Sequence, residues 1–269
     1  SWLKEVQGGD AGGVAPPAAT AGQAASEQAD LLADDAHRAA YATILDRPAL
    51  DLWLEKIGRC PLTALDTETT SLDPFAARIV GVSLAVAPGE AAYLPLAHDY
   101  PGVPPQLPRD EVLALLQPWL ESAAHAKIGQ NLKYDQHVLA NHGIHLAGVR
   151  HDTLLQSYVL ESGKDGVRGH DLGQLATRHL GLATIPYEAL CGKGAGQIGF
   201  DQVAIEQASE YAAEDADLCL RLQQRLYPQI AADAGLSRIY EDIEIPVRDI
   251  LFRMERTGVL IDAQLLTQQ

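Results

Sequence analysis

The spacing of hydrophobic and polar positions along the chain divides it into a silent start and a patterned body. Residues 1–36 alternate Ala, Gly, Pro and acids and offer little to bury, so they read as a linker. From residue 41 the pattern changes. Residues 41–45 (YATIL) form a short apolar run that predicts a strand. Residues 48–57 set Leu50, Leu52, Trp53, Leu54 and Ile57 at helical spacing, as candidate core positions. Residues 62–68 run from Leu62, Ala64 and Leu65 into acids, as a buried strand would at its end. Two further strands follow at 78–87 (RIVGVSLAVA) and 91–97 (AAYLPLA), with Pro88-Gly89 at the turn. Three strands with short connections predict an antiparallel meander.

Helical signals then take over. Pro108 with Asp110 and Glu111 opens a helix that runs to about residue 120, acids lying where the helix dipole favours them. Residues 126–129 (AKIG) predict a short strand, and Asn131 opens the next helix. Further helices are expected around 153–161, 170–180 and 201–226. The outcome is an α/β fold: a mixed sheet, antiparallel meander plus parallel strands, flanked by helices. No internal repeat is present.

Composition narrows the function classes. The 269 residues are 47% hydrophobic, ample for a core, yet no apolar run is long enough to span a bilayer. The start lacks the apolar segment of a signal peptide. Three cysteines, Cys60, Cys191 and Cys219, show no zinc-type spacing and point to a reducing cytoplasm. The net charge of −16 by itself disfavours nucleic acid as a partner. Residues 1–36 account for −5 of it, one lysine against six acids. Cations held by a carboxylate cluster would offset more.

Such a cluster is suggested by three separated stretches. Asp66 and Glu68 are i and i+2 in a strand and share one face; a divalent cation would relieve their repulsion, although a solvated strand end is the plain alternative. Asp135, just past a strand and early in a helix, is either a third carboxylate or an acid placed by the helix dipole. Gln130 and Asn131 beside it offer amide donors, and Lys133 a cation for phosphate. Tyr211 and Asp215 are i and i+4 on one helix face, with alanines at 212, 213 and 216 that allow close approach to a sheet. Glu214 and Asp217 fall on other faces and are expected in solvent. Four carboxylates and a phenol from three elements are what two-metal phosphoryl transfer needs, with ions about 3.5–4 Å apart.

The order Asp66-Thr-Glu-Thr, Gln130-Asn-Leu-Lys-Tyr-Asp135, Tyr211-Ala-Ala-Glu-Asp-Ala-Asp217 closely resembles the 3′–5′ proofreading exonuclease domain of bacterial DNA polymerase I, the tyrosine-bearing branch of the DEDD exonucleases. Gly192-Lys193-Gly194 and Gln197 also match. The resemblance implies a ribonuclease H-like fold over residues 37–235. It implies that residues 236–269, which hold the run Ile243-Glu-Ile-Pro-Val-Arg-Asp-Ile-Leu-Phe-Arg-Met-Glu255, begin a polymerase domain. Residues 1–36 would then follow a 5′-nuclease domain, and the chain would be the middle piece of a longer cytoplasmic DNA polymerase, by itself shortening primers without extending them.

By the same resemblance, Asp66, Glu68 and Asp215 would hold one divalent ion. Asp66 would bridge to a second, which Asp135 holds through water. Magnesium is the first expectation, manganese or zinc the others. Tyr211 with Glu68 would orient the attacking water. Leu72 matches a wedge between terminal bases, Tyr187 an aromatic packed on a base, and Gln130, Asn131 and Tyr134 residues lining a single-stranded or frayed DNA 3′ end. Arg168 matches a phosphate contact, but here the family's Arg-His pair is spread to Arg168-Gly169-His170 in a longer loop. Two rival functions are an RNA 3′ exonuclease of the same superfamily and an inactive exonuclease-like spacer.

Overall fold

The computed structural model describes residues 41–164 and 169–267, so the expected linker and Arg168 lie outside the described residues. Strand β1 (Ala42–Thr43) leads into helix α1 (Arg47–Arg59). Asp46 caps that helix by accepting from the Ala49 amide at 2.9 Å, and Pro48 sits in the first turn, where a missing N–H is harmless. Leu50, Trp53 and Ile57 are its buried stripe. Leu52, expected in the core, falls on the outer face and is exposed.

Strands β2 (Thr63–Thr69), β3 (Ile79–Ala87) and β4 (Glu90–Pro95) form the antiparallel meander. Helix α2 (Arg109–Leu120) follows, then β5 (Lys127–Gly129), helix α3 (Leu132–Asn141) and β6 (Val149–Asp152). β5 pairs parallel with β2, β6 with β5, and β1 with β4, giving the order β1-β4-β3-β2-β5-β6. Strand β6 is unexpected: with one apolar residue in four it carries no readable period, and the pairing with β5 defines it.

Helix α4 (Thr153–Glu161) is capped by Asp152. The expected 170–180 helix is α5 (Leu172–Leu175) running on as a π-helical turn, Ala176–Leu180. Helix α6 (Tyr187–Cys191) precedes the long α7 (Ile205–Ala231), which begins later than its sequence pattern suggests because Phe200–Gln202 forms a separate 3-10 turn. Helix α8 (Ala234–Arg238) continues through a π-helical stretch, Ile239–Glu244, into α9 (Ile245–Thr257); α10 (Ala263–Thr267) closes the described chain. Among the described residues no helix is long and apolar enough to cross a membrane.

The two faces of the sheet are filled differently. Large side chains pack one face: Leu65, Val82, Leu84 and Leu94 meet Leu50, Trp53, Leu116, Trp119, Leu132 and Leu139 from α1, α2 and α3. Small ones pack the other where β2 runs: Ala64, Ala85 and Ala91 meet Ala213, Ala216 and Cys219 of α7, while Val80 and Tyr93 of β3 and β4 meet Ala208 and Ala212 of the same helix. Small against small lets α7 lie close to β2, and this spacing sets the reach of every side chain α7 directs toward the strand.

Candidate active site

Alternation along β2 sorts its side chains. Ala64, on the α7 side, is followed on the same face by Asp66 and Glu68. Leu65 faces α3, followed by Thr67 and Thr69. Asp66, Glu68 and Asp215 accordingly bring carboxylate oxygens within 4.8 Å of one another. Asp135 joins from the α3 side, accepting a hydrogen bond from Thr67 Oγ1 at 2.6 Å, and is itself buried.

The four acids lie on the floor of a cleft of about 590 Å³ whose walls include Thr70, Ser71, Leu72, Gln130, Asn131, Tyr134, Tyr187 and Tyr211. Among the described residues lining it, none is basic. Burial, with no cation opposite, holds the acids' protons. The Asp66 carboxyl is pushed up to about 6, chiefly by burial. Glu68 is raised well above the carboxylate range by burial and then by the charges of Asp66, Asp215 and Asp135. Asp135 and Asp215 are raised by burial and by Asp66. Hard oxygen donors crowded this closely, with no protein cation to neutralise them, fit divalent ions.

Tyr211 lies one helical turn before Asp215. Burial, then the charges of Asp215, Glu68 and Asp66, push its phenol far above the ordinary range, so the hydroxyl keeps its proton and serves as a donor. Its ring packs against Phe200 at 5.9 Å and edge-on to Tyr187 at 6.4 Å. These rings form one wall of the cleft. Opposite, the side chain of Leu72 stands almost entirely in solvent at 91% exposure. Tyr134 reaches across to it: its hydroxyl donates to the Ser71 carbonyl at 2.5 Å and lies 2.5 Å from Thr69 Oγ1.

Other predicted residues are already engaged. The Gln130 amide accepts from Thr153 Oγ1 at 2.5 Å and donates to the His170 carbonyl at 2.7 Å. Asn131 takes a left-handed backbone, φ 59°, the one non-glycine residue to do so among those described. Lys133 does not line the cleft. It pairs with Glu255 of α9, which also accepts from His137 Nε2 at 2.8 Å.

Glu214 and Asp217, expected in solvent, are both fully buried. Glu214 accepts from the Ile185 amide at 2.9 Å, tying α7 to the segment just before Tyr187. Asp217 accepts from Tyr41 Oη, Gly89 N and Arg221 Nε at 2.7, 2.7 and 2.9 Å. Asp152 escaped the sequence reading altogether. Its carboxylate accepts from the amides of Asn131 at 3.0 Å, Leu132 at 2.9 Å and Leu154 at 3.0 Å, so one buried acid caps both α3 and α4. An Asp directly before Thr-Leu-Leu at a helix start is a capping signal that could have found it.

Known proteins are similar to this chain in sequence and in fold. A family model described as 3′-5′ exonuclease matches residues 41–231. DNA polymerase I of Pseudomonas aeruginosa is 52% identical over 228 residues, covering 84% of this chain and 25% of that protein. This chain thus spans about a quarter of the length of the curated relatives it matches. Among solved structures, the POL domain of Pol1 from M. smegmatis with DNA primer-template and dNTP has a TM-score of 0.64 at 23% identity, covering 84% of this chain and 34% of that one. Trypanosoma brucei RNase D in complex with RNA U12 has a TM-score of 0.57 at 16% identity, covering 72% and 65%. These two likenesses concern the fold; the family rests on the sequence matches. The chain belongs to the 3′–5′ exonuclease family of DNA polymerase I.

Proposed function

We propose that the cleft removes nucleotides one at a time from the 3′ end of DNA, releasing 5′-monophosphates. The supporting observation is the meeting of Asp66, Glu68 and Asp215 at the floor of a cleft whose rim carries an exposed leucine and whose wall is aromatic. The three carboxylates would hold one divalent ion and Asp135 would help hold a second, with magnesium or manganese the best fit to oxygen donors. Bound ions supply positive charge against the phosphate and acidify water.

The chain's own groups do the positioning. The Tyr211 hydroxyl, held protonated with Asp215 as its partner, accepts or donates a hydrogen bond that aligns the attacking water. Water adds to phosphorus, the bond from phosphorus to the 3′ oxygen breaks, and that oxygen leaves with a proton. Leu72 enters between the last two bases and Tyr187 packs on one of them, a grip that any base satisfies. Tyr134 and Asn131 line the strand, and Gln130 retains one amide hydrogen for it. A mismatched end costs less to unpair, so editing selectivity follows from fraying. Residues 37–235 would form this unit in the cytoplasm, with 1–36 a linker and 236–269 the start of a polymerase domain.

The test is a 5′-labelled single-stranded DNA oligomer with magnesium or manganese. A ladder of successively shorter products, abolished by Asp66→Ala, is expected. Faster cleavage of an RNA of the same sequence would move the substrate to RNA. No cleavage of either would leave an inactive spacer.

A further inference from the structure

The loop at residues 70–78 brings Leu72 to the cleft rim, and its shape is fixed from both sides. Within it, the Asp73 carbonyl accepts from the amides of Ala76 and Ala77, and Thr70 Oγ1 accepts from Arg78 N. On the cleft side Tyr134 holds the Ser71 carbonyl. On the far side Asn141, the last residue of α3, donates its amide to the carbonyls of Pro74 at 2.8 Å and Ala77 at 3.0 Å.

Asn141 is in turn held by α9. Arg256 Nη1 donates to Asn141 Oδ1 at 2.8 Å, which fixes the amide with its donor end toward the loop. The Arg256 guanidinium also lies 5.8 Å from the centre of the Phe75 ring, inside the loop. Phe75 packs on His137 at 4.9 Å, and His137 on Phe252 of α9 at 4.7 Å. Glu255 holds His137 and Lys133 from the same turn of α9. The last turns of α9 therefore grip both the helix that carries Asp135 and the loop that carries Leu72.

We propose that α9 is a working part of the cleft, and that Arg256 is a positioning residue. Through Asn141 and Phe75 it holds the 70–78 loop so that Leu72 meets the terminal bases. This rests on the reading of the cleft as a DNA 3′-end site. It gives residues expected to begin a following domain an indirect hold on the strand, through the loop, and so a route by which that domain can set how readily an end is edited.

The experiment uses the full 269-residue chain as Arg256→Ala, an exposed position, beside Arg253→Ala as control. Arg253 is exposed on the same helix, and among the described residues its side chain bonds the carbonyl of Asp249 in its own helix. Two substrates separate the parts: a single-stranded DNA oligomer, and the p-nitrophenyl ester of thymidine 5′-monophosphate, which has no second base for Leu72 to divide. Arg256→Ala should raise KM for the oligomer roughly three-fold or more, as loss of part of a base contact would. Hydrolysis of the ester and the behaviour of Arg253→Ala should stay as in the parent. In a Leu72→Ala background, Arg256→Ala should add nothing.

Amide hydrogen exchange at residues 70–78 should quicken in Arg256→Ala whether or not any substrate is cleaved. Unchanged KM and unchanged exchange would overturn the proposal, as would an equal loss on oligomer and ester, or the same effect from Arg253→Ala. Absence of cleavage by the parent chain would instead fell the DNA 3′-end reading, while the exchange measurement still decides whether Arg256 holds the loop.

Discussion

At the scale of single residues, the cleft separates groups that hold charge from groups that aim it. On the proposed reading Tyr211 belongs to the second kind, because burial, and then three nearby carboxylates, keep its proton in place. Tyr211→Phe keeps the ring contacts with Phe200 and Tyr187 and deletes only the hydroxyl. Turnover of single-stranded DNA should fall by about ten-fold or more, toward the roughly 10²–10⁴ ascribed to a positioned catalytic group. Metal affinity by calorimetry should hardly change. A variant with parental turnover would reduce the tyrosine to packing. Leu72 and Tyr187 test the grip: alanine at either should weaken single-strand binding by about 1–3 kcal/mol. The preference for mismatched over matched duplex ends should narrow with it, measured by parallel time courses. The sequence made Asp66 and Glu68 legible because a period of two needs only three residues to declare a face. It misplaced Glu214 and Asp217 because their partners, the amides of Ile185 and Gly89 and the Tyr41 hydroxyl, come from loops and from the residue just before β1, all far away in sequence. Helix spacing says which way a side chain leaves the axis, not what waits there.

At the scale of elements, α7 and β2 work as a pair because alanine faces alanine. Replacing Ala216, which has no exposed surface, with leucine would force the helix away from the sheet. Overpacking of this kind costs about 1–3 kcal/mol. Ala216→Leu should lower the melting temperature and also reduce activity in the protein that remains folded, since Asp215 moves off Asp66 and Glu68. Parental activity per folded molecule, with folding followed by circular dichroism, would show that the spacing is not critical. The meander and the acidic end of β2 could be read from patterning, since their residues are neighbours in sequence. Strand β6 could not, nor could the engagement of Lys133, whose partner Glu255 lies in a helix 122 residues further on. A lysine beside a candidate acid looks like a phosphate ligand until the rest of the chain claims it.

For the whole molecule, the acidic cluster links stability to pH and to metal. Asp66 keeps its proton until about pH 6 in the folded protein, against 3.8 for its ordinary carboxyl. The folded state thus binds more protons than the unfolded chain between those values. This group's contribution to stability is complete below about pH 4 and is lost as pH rises through about 6. Metal-free protein should therefore melt at a lower temperature at pH 7 than at pH 5. Millimolar magnesium, competing with protons for the same oxygens, should restore little at pH 5 and most at pH 7. Melting curves with magnesium and with a chelator, repeated on Asp66→Asn, would check this; an identical magnesium effect in that variant would remove Asp66 from the site. The absence of any basic side chain among the described residues lining the cleft reaches further still. Each protein cation that neutralises a phosphate of a single strand releases counterions and steepens the fall of log K with log salt by about 0.7. A cleft that grips by rings and a leucine releases few, so its hold on a strand should be nearly indifferent to potassium chloride at fixed magnesium. A slope near about −0.7 would count one arginine or lysine reaching in from elsewhere, with Arg168 the first to mutate. A flat line would describe an editor whose grip is the same in dilute and concentrated salt.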